Sequence, residues 1–166
     1  MATIKDLEKY IDYEFSSGCY KDVILSETNY YVCQYIARLV NEGFYQQGGR
    51  IRAVPVTIGG TSYIPPIPIE HQVKEDIDNI IKSSDDVVQV AIELALYVMK
   101  TQIFNDGNKR TAIIFANHYL ISHAGGLMVV PQNLVPEYKK MLVKYYEGRD
   151  EEAIKSFMRE KCLKTF

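Results

Sequence analysis

Nine consecutive residues, QIFNDGNKR at positions 102–110, bring a carboxylate, a glycine, several amides and two cations into one short loop. An apolar helical pattern ends near Gln102 and an amphipathic one starts near Asn108. Asp106, Gly107 and Asn108 therefore fall where four backbone N–H groups have no intrahelical acceptor. Those donors, with the positive end of the helix dipole, suit an anion. Gly107 would let the backbone approach a phosphate closely, and Asn108 is able to cap the helix or to donate. Lys109 and Arg110 add charge-assisted donors, Arg110 as a planar fork. Phosphate is the natural ligand of such a loop. Asp106 would be repelled by a bare phosphate, so it either holds a divalent cation that bridges the two or serves as the helix cap. Asx-Gly before a helix is also a common structural start, and the residues alone leave both readings open. No side chain in the loop shuttles a proton at neutral pH.

The elements that must hold this loop are mostly helical. Thr3 is placed to cap a short helix with Ile4, Leu7 and Ile11 on one face, ended by SSGCY at residues 16–20. Ser26 and Thr28 are placed to cap the next helix, with Val32, Ile36, Leu39 and Val40 inward and Gly43 as its stop. The period then changes. Residues 51–69 run β-branched stretches around Gly59-Gly60, a hairpin signal, while Pro55, Pro65, Pro66 and Pro68 deny them a place inside a sheet. An isolated two-stranded flap over about residues 51–66 is expected. Helical patterns follow over 70–82, 85–102 and 108–122, and then in NLVPEYKKMLVKYYE and DEEAIKSFMREKCL. There is no internal repeat, low-complexity tract or linker, so residues 1–166 read as one all-α domain, a helical bundle with one small β-hairpin.

Composition narrows the function. At 166 residues the chain is long enough for a single self-sufficient core, and 19 Lys+Arg against 21 Asp+Glu leave no basic track for a polyanion. Nucleic acid is therefore not the expected partner. Cys19, Cys33 and Cys162 are widely spaced, with no C-x-x-C pair, and read as reduced thiols in a cytoplasmic protein. The N-terminus lacks the charged and apolar regions of an export signal, and no apolar run reaches the length that spans a bilayer.

QIFNDGNKR resembles the signature of Fic-domain proteins, H-P-F-x-D/E-G-N-G/K-R, matching at Phe104, Asp106, Gly107, Asn108, Lys109 and Arg110. The upstream GRIRAVPVTIGGTSYIPP is similar to that family's segment leading into a V-x-I-G-G hairpin and a Pro pair, and YYEGRDEEAIKSFM is similar to the tail of many such domains. The resemblance covers about residues 26–160. It implies a Fic-type helical bundle that binds ATP or another nucleoside triphosphate with Mg2+ and transfers AMP to a Ser, Thr or Tyr hydroxyl of a target protein. The Doc branch, which shares the N-K-R-T-A variant present here, transfers a phosphoryl group instead. Asp106 would hold Mg2+, Gly107 and Asn108 would line an anion hole, and Lys109 and Arg110 would meet phosphate oxygens. Phe104 would anchor the loop from below. Thr57, Ile58, Gly59, Gly60 and Thr61 would form the flap that docks an extended target segment by strand addition. The resemblance also implies control by a separate inhibitory protein, an antitoxin.

Two positions depart from that pattern. Gln102 stands where the family has its His, two residues before Phe104, and a carboxamide orients a hydroxyl but does not accept its proton. Ile113 stands where many AMP-transferring members carry a second Arg. His71, His118 and His123 lie on other helical stretches and read as surface or core residues. Glu42-Gly43 and Glu147-Gly148 partly match the family's inhibitory-helix motif, but Arg38 and Val143 replace its Ser or Thr, so both read as helix ends. The expectation is an adenylyltransferase scaffold impaired at Gln102, with two alternatives: a natural nucleotide-binding pseudoenzyme, or a Doc-like phosphoryl-transferring toxin.

Overall fold

The computed structural model describes residues 26–44 and 47–165. The helix expected after Thr3, and Cys19 with it, lie outside the described residues. Within them, six α-helices run in the order α1 Tyr30–Val40, α2 Glu70–Lys82, α3 Val87–Thr101, α4 Asn108–Ser122, α5 Val135–Tyr146 and α6 Glu151–Phe157. The all-α bundle is thus as expected, and it carries one small antiparallel pair.

The α3 helix is the axis of the bundle. Asp86 caps it, its side chain accepting from Val88 N and Gln89 N at 3.0 Å. It buries Val90, Ala91, Ile92, Leu94, Ala95, Leu96, Val98 and Met99, so it is apolar nearly all round, as a helix covered on every side must be. Its most extensive neighbour is α4, which turns Ala112, Phe115, Ala116 and Leu120 toward it. The alanines let the two backbones approach. The loop 102–107 joins these two helices and is therefore hung between the most deeply buried elements of the molecule.

Three details differ from the expectation. The α1 helix is capped by Asn29, whose Oδ1 accepts from Tyr31 N at 2.9 Å and Val32 N at 3.1 Å, rather than by Ser26 or Thr28. Thr28 is buried, with its hydroxyl 2.8 Å from His118 Nδ1. The segment around Gly59-Gly60 makes its turn, with Gly60 at φ 86, but its arms are extended and carry no ladder of backbone hydrogen bonds. The prolines explain this, since each removes a ladder donor. The antiparallel pair lies elsewhere: β1, Leu127–Met128, pairs with β2, Leu163–Lys164, which follows a π-helical turn over Met158–Cys162. Leu39 and Val40, expected inward, are only partly buried.

Candidate functional site

The loop is built from its two ends inward. At the end of α3, Gln102 adopts the left-handed conformation at φ 49, ψ 60, a strained choice for a residue with a side chain. This redirects the chain so that Ile103 and Phe104 drop into the core, where both are almost fully buried. Phe104 also bridges to Ile51 at the start of the flap segment. The next four residues return to α4 through a clasp made by one side chain. Asn108 Oδ1 accepts from Phe104 N at 2.9 Å, and Asn108 Nδ2 donates to the Phe104 carbonyl at 2.8 Å and to Gln102 Oε1 at 3.2 Å. The Asn108 amide thus ties the loop to itself, and its backbone N–H is left without an intrahelical acceptor.

Gly107 follows from packing as much as from approach to a ligand. It has φ 73, and a Cβ there would lie 2.9 Å from both Asn41 Oδ1 and Val40 Cγ1. Asn41, buried at the end of α1, donates through Nδ2 to the Asp106 carbonyl at 3.1 Å and to the Ala37 carbonyl at 2.9 Å. The loop backbone is thereby pinned from α1 as well as from α4. The first-turn N–H groups of α4, at Asn108, Lys109 and Arg110, have no intrahelical acceptors.

These residues border a cavity of about 360 Å³. One wall is the loop and helix start, residues 105–110, and the other is residues 56–59 of the flap, with Gln102 at the edge. Thr57, Ile58 and Gly59 thus face the loop, whereas Gly60 and Thr61 turn away toward α5. Asp106 and Arg110 approach to 3.7 Å, with side chains 59% and 57% exposed, so they attract each other only weakly across solvent. Lys109 and Arg110 also rim an apolar groove of about 520 Å³ that includes Ile113 and Ile114. The helix face beyond Arg110 is therefore apolar where a further cation would have extended the anion site.

Gln102 has both ends of its side chain engaged. Nε2 donates to the Met99 carbonyl at 2.6 Å while Oε1 accepts from Asn108. None of the chain's three histidines lines the cavity. His71 is exposed on α2, His118 meets Thr28, and His123 Nδ1 is 2.8 Å from the Tyr119 carbonyl. Among the described residues there is also no cluster of three or more His, Cys, Asp or Glu that would hold a metal unaided. No helix among them is long and apolar enough to cross a membrane.

The flap is held at its base by Arg52, which is 1% exposed. Its Nε donates to the Gln102 carbonyl at 2.5 Å, Nη1 to Val54 at 2.9 Å, and Nη2 lies within 2.5–3.2 Å of the Pro66, Pro65 and Thr101 carbonyls. Burial pushes the guanidinium below its ordinary pKa. The carbonyl cage and the negative end of the α3 dipole offset that cost without a carboxylate. One cation thus gathers both flap arms and the end of α3. Near its tip the flap buries Ile58 and reaches Glu147 at the end of α5, Thr61 Oγ1 donating to Glu147 Oε1 at 3.0 Å. Arg149 pairs with the same carboxylate. Hydrogen bonds from Arg149 and then from Thr61 hold the Glu147 carboxyl below the usual glutamate range.

Sequence reasoning missed the roles of Asn41, Arg52 and Glu147. Arg52 had a signal, a lone cation inside the apolar run IRAVPV. Asn41 and Glu147 stand at helix ends, where polar residues need no special reason.

Residues 27–120 match the family model described as Fic/DOC family. No curated protein matches the chain.

Proposed function

The chain belongs to the Fic/DOC family, and from that premise we propose that it is an adenylyltransferase scaffold, built to carry AMP from ATP to a hydroxyl of a target protein and held back by Gln102. Family membership by itself suggests AMP transfer or a related nucleotidyl transfer. The observation that supports the finer reading is the cavity in which the start of α4, Asp106 and residues 56–59 of the flap face one another with Gln102 at the edge.

In this reading the Asn108–Arg110 N–H groups and the Lys109 and Arg110 side chains bind the phosphates. Asp106 suits Mg2+ in the manner usual for that ion, one carboxylate with the rest of the shell left to phosphate oxygens and water. The exposed carboxylate, the one acid among the described residues that line the cavity, fits that pattern. The flap holds the target so that its hydroxyl oxygen attacks the α-phosphorus. The bond to pyrophosphate breaks, and the hydroxyl proton must go to a base. Gln102 cannot take it, and with its amide already bonded to Met99 and Asn108 it acts as a plug at that position.

ATP with Mg2+ should therefore raise the melting temperature, and Arg110→Ala should remove the rise. Gln102→His should increase labelling of lysate proteins from α-labelled ATP by on the order of 10²- to 10⁴-fold, the usual worth of a placed base. Label arriving only from the γ position would move the reading to Doc-like phosphoryl transfer. A folded, nucleotide-binding Gln102→His protein that labels nothing would leave a pseudoenzyme.

A further inference from the structure

We propose that Glu147 is a positioning residue for the flap: its carboxylate latches the tip at Thr61 and so sets how residues 56–59 stand over the cavity. The purpose of the latch rests on the target-docking reading of the flap, but the latch itself rests on contacts.

A glutamate at a helix C-terminus is in an unfavourable place, because the carbonyl end of the helix is already negative. Glu147 is the C-cap of α5, with its N–H bonded to the Val143 carbonyl. Its carboxylate is stabilised there from two sides, by Arg149 and by the Thr61 hydroxyl. The Thr61 hydroxyl in turn accepts from Tyr63 N at 3.1 Å, so the outer arm of the flap is wired through one oxygen to one carboxylate. Tyr63 stacks on Tyr146 at 6.5 Å, immediately before Glu147, and Gly60 lies against Val143 of the same helix.

The flap has few other means of support. It lacks a strand ladder, Arg52 acts only at its base, and prolines remove three of its backbone donors, at 55, 65 and 66. Between the base and the turn it has the buried Ile58, which resists withdrawal but does not fix rotation about the arms. Rotation is what decides which backbone groups of residues 56–59 face the cavity. A contact on the far side of the turn, with a direction imposed by a hydrogen bond, supplies that constraint. Glu147 does not line the cavity and reaches the flap beyond the turn, through the Thr61 hydroxyl and the Ser62 backbone N–H.

Hydrogen exchange on the full chain tests this. Glu147→Ala and Thr61→Val should each speed exchange of the Ser62 and Tyr63 amides, which have acceptors at the latch, by roughly tenfold or more, the scale of one hydrogen bond to a charged group. The α3 amides should keep their wild-type rates. The double variant should add little beyond either single one, since both break the same link. Glu147→Gln keeps an acceptor for Thr61 and should preserve most of the protection. Unchanged flap exchange in both single variants would overturn the proposal. So would additive effects, or a rise spread equally through α5 and α6, which would make Glu147 a support of the helix end. The same experiment with ATP and Mg2+ should protect residues 105–110. If that protection is absent while the flap responds as described, the transferase reading fails and the latch stands.

Discussion

The two walls of the cavity are held in opposite ways. The loop is held from within by a neutral amide close to it in sequence, Asn108 clasping Phe104 four residues back, and from farther away by Asn41 on Asp106 and, at the Gln102–Ile103 end, by Arg52. The flap is held by charged groups acting across long stretches of chain, Arg52 on a carbonyl 50 residues away and Glu147 on a hydroxyl 86 residues away. Neutral, local hydrogen bonds on buried elements give a geometry that forms with the helices and stays. Charge-based links across the chain give one that depends on the finished fold and on single side chains. A wall that must bind a fixed anion suits the first kind. A wall that must admit and release a chain segment suits the second.

The largest expected effect falls where the two walls share a support. Arg52→Met keeps much of the side-chain stem but leaves the buried carbonyl of Pro65 and the partly buried ones of Thr101, Gln102, Val54 and Pro66 without their donor. At about 1–3 kcal/mol for each unpaired buried group, with water reaching some of them, a loss on the order of 3 kcal/mol or more is expected. Urea unfolding should show it as a lower midpoint at unchanged slope. Arg52→Lys should recover only a small part, because an ammonium is a point donor and does not span carbonyls arranged around a plane. A loss below about 1 kcal/mol would mean that the flap stands without its base and that the two walls are not held in different ways.

Asn108→Ala confines the damage to the loop. It removes the partner of the Phe104 N–H and C=O while the backbone of α4 remains, for an expected cost of about 2–3 kcal/mol. Hydrogen exchange should rise at residues 103–107 and not at 56–63. If the flap opened equally, the walls would be one cooperative unit and not two differently built ones.

These contacts also decide what was readable beforehand. The loop's position between two helices, its glycine and its cations follow from periodicity and capping rules that act within a few residues. The buried face of α3 was legible for the same reason, since Ile92, Ala95 and Met99 repeat at helical spacing and are buried, with Val88 of the same series partly so. The clasp of Asn108 on Phe104 is not legible, because a capping position and a clasp look alike until Phe104 is seen beneath it. The flap turn was legible at Gly59-Gly60, but the way its arms are held was not, because Arg52 gathers carbonyls of both arms and of the end of α3, 49 and 50 residues away. The cap of α1 moved to Asn29 because Thr28 is drawn into a contact with His118, 90 residues away. Long-range partners of this kind leave no periodic trace.

The smallest expected change in stability carries the decision about Asp106. As a divalent-cation ligand it should matter little to the resting fold, because its pairing with Arg110 is long and more than half exposed on both sides. Asp106→Asn should then shift stability by no more than about 0.5 kcal/mol, within the range of surface pairs. The nucleotide response should change in kind. Wild-type protein should show a larger melting-temperature rise with ATP and Mg2+ than with ATP alone, whereas Asp106→Asn should show the same rise with or without Mg2+, since the repulsion between carboxylate and phosphate that the cation relieves is gone. If Asp106 were instead the helix cap, the order would reverse. The variant would then lose up to about 1 kcal/mol and keep its Mg2+ dependence. The geometry favours the first outcome, because α4 starts at Asn108 with no side-chain cap bond, and the Asp106 group that is tied down is its carbonyl, by Asn41. The carboxylate is left facing the cavity, where a cation and a phosphate would meet it.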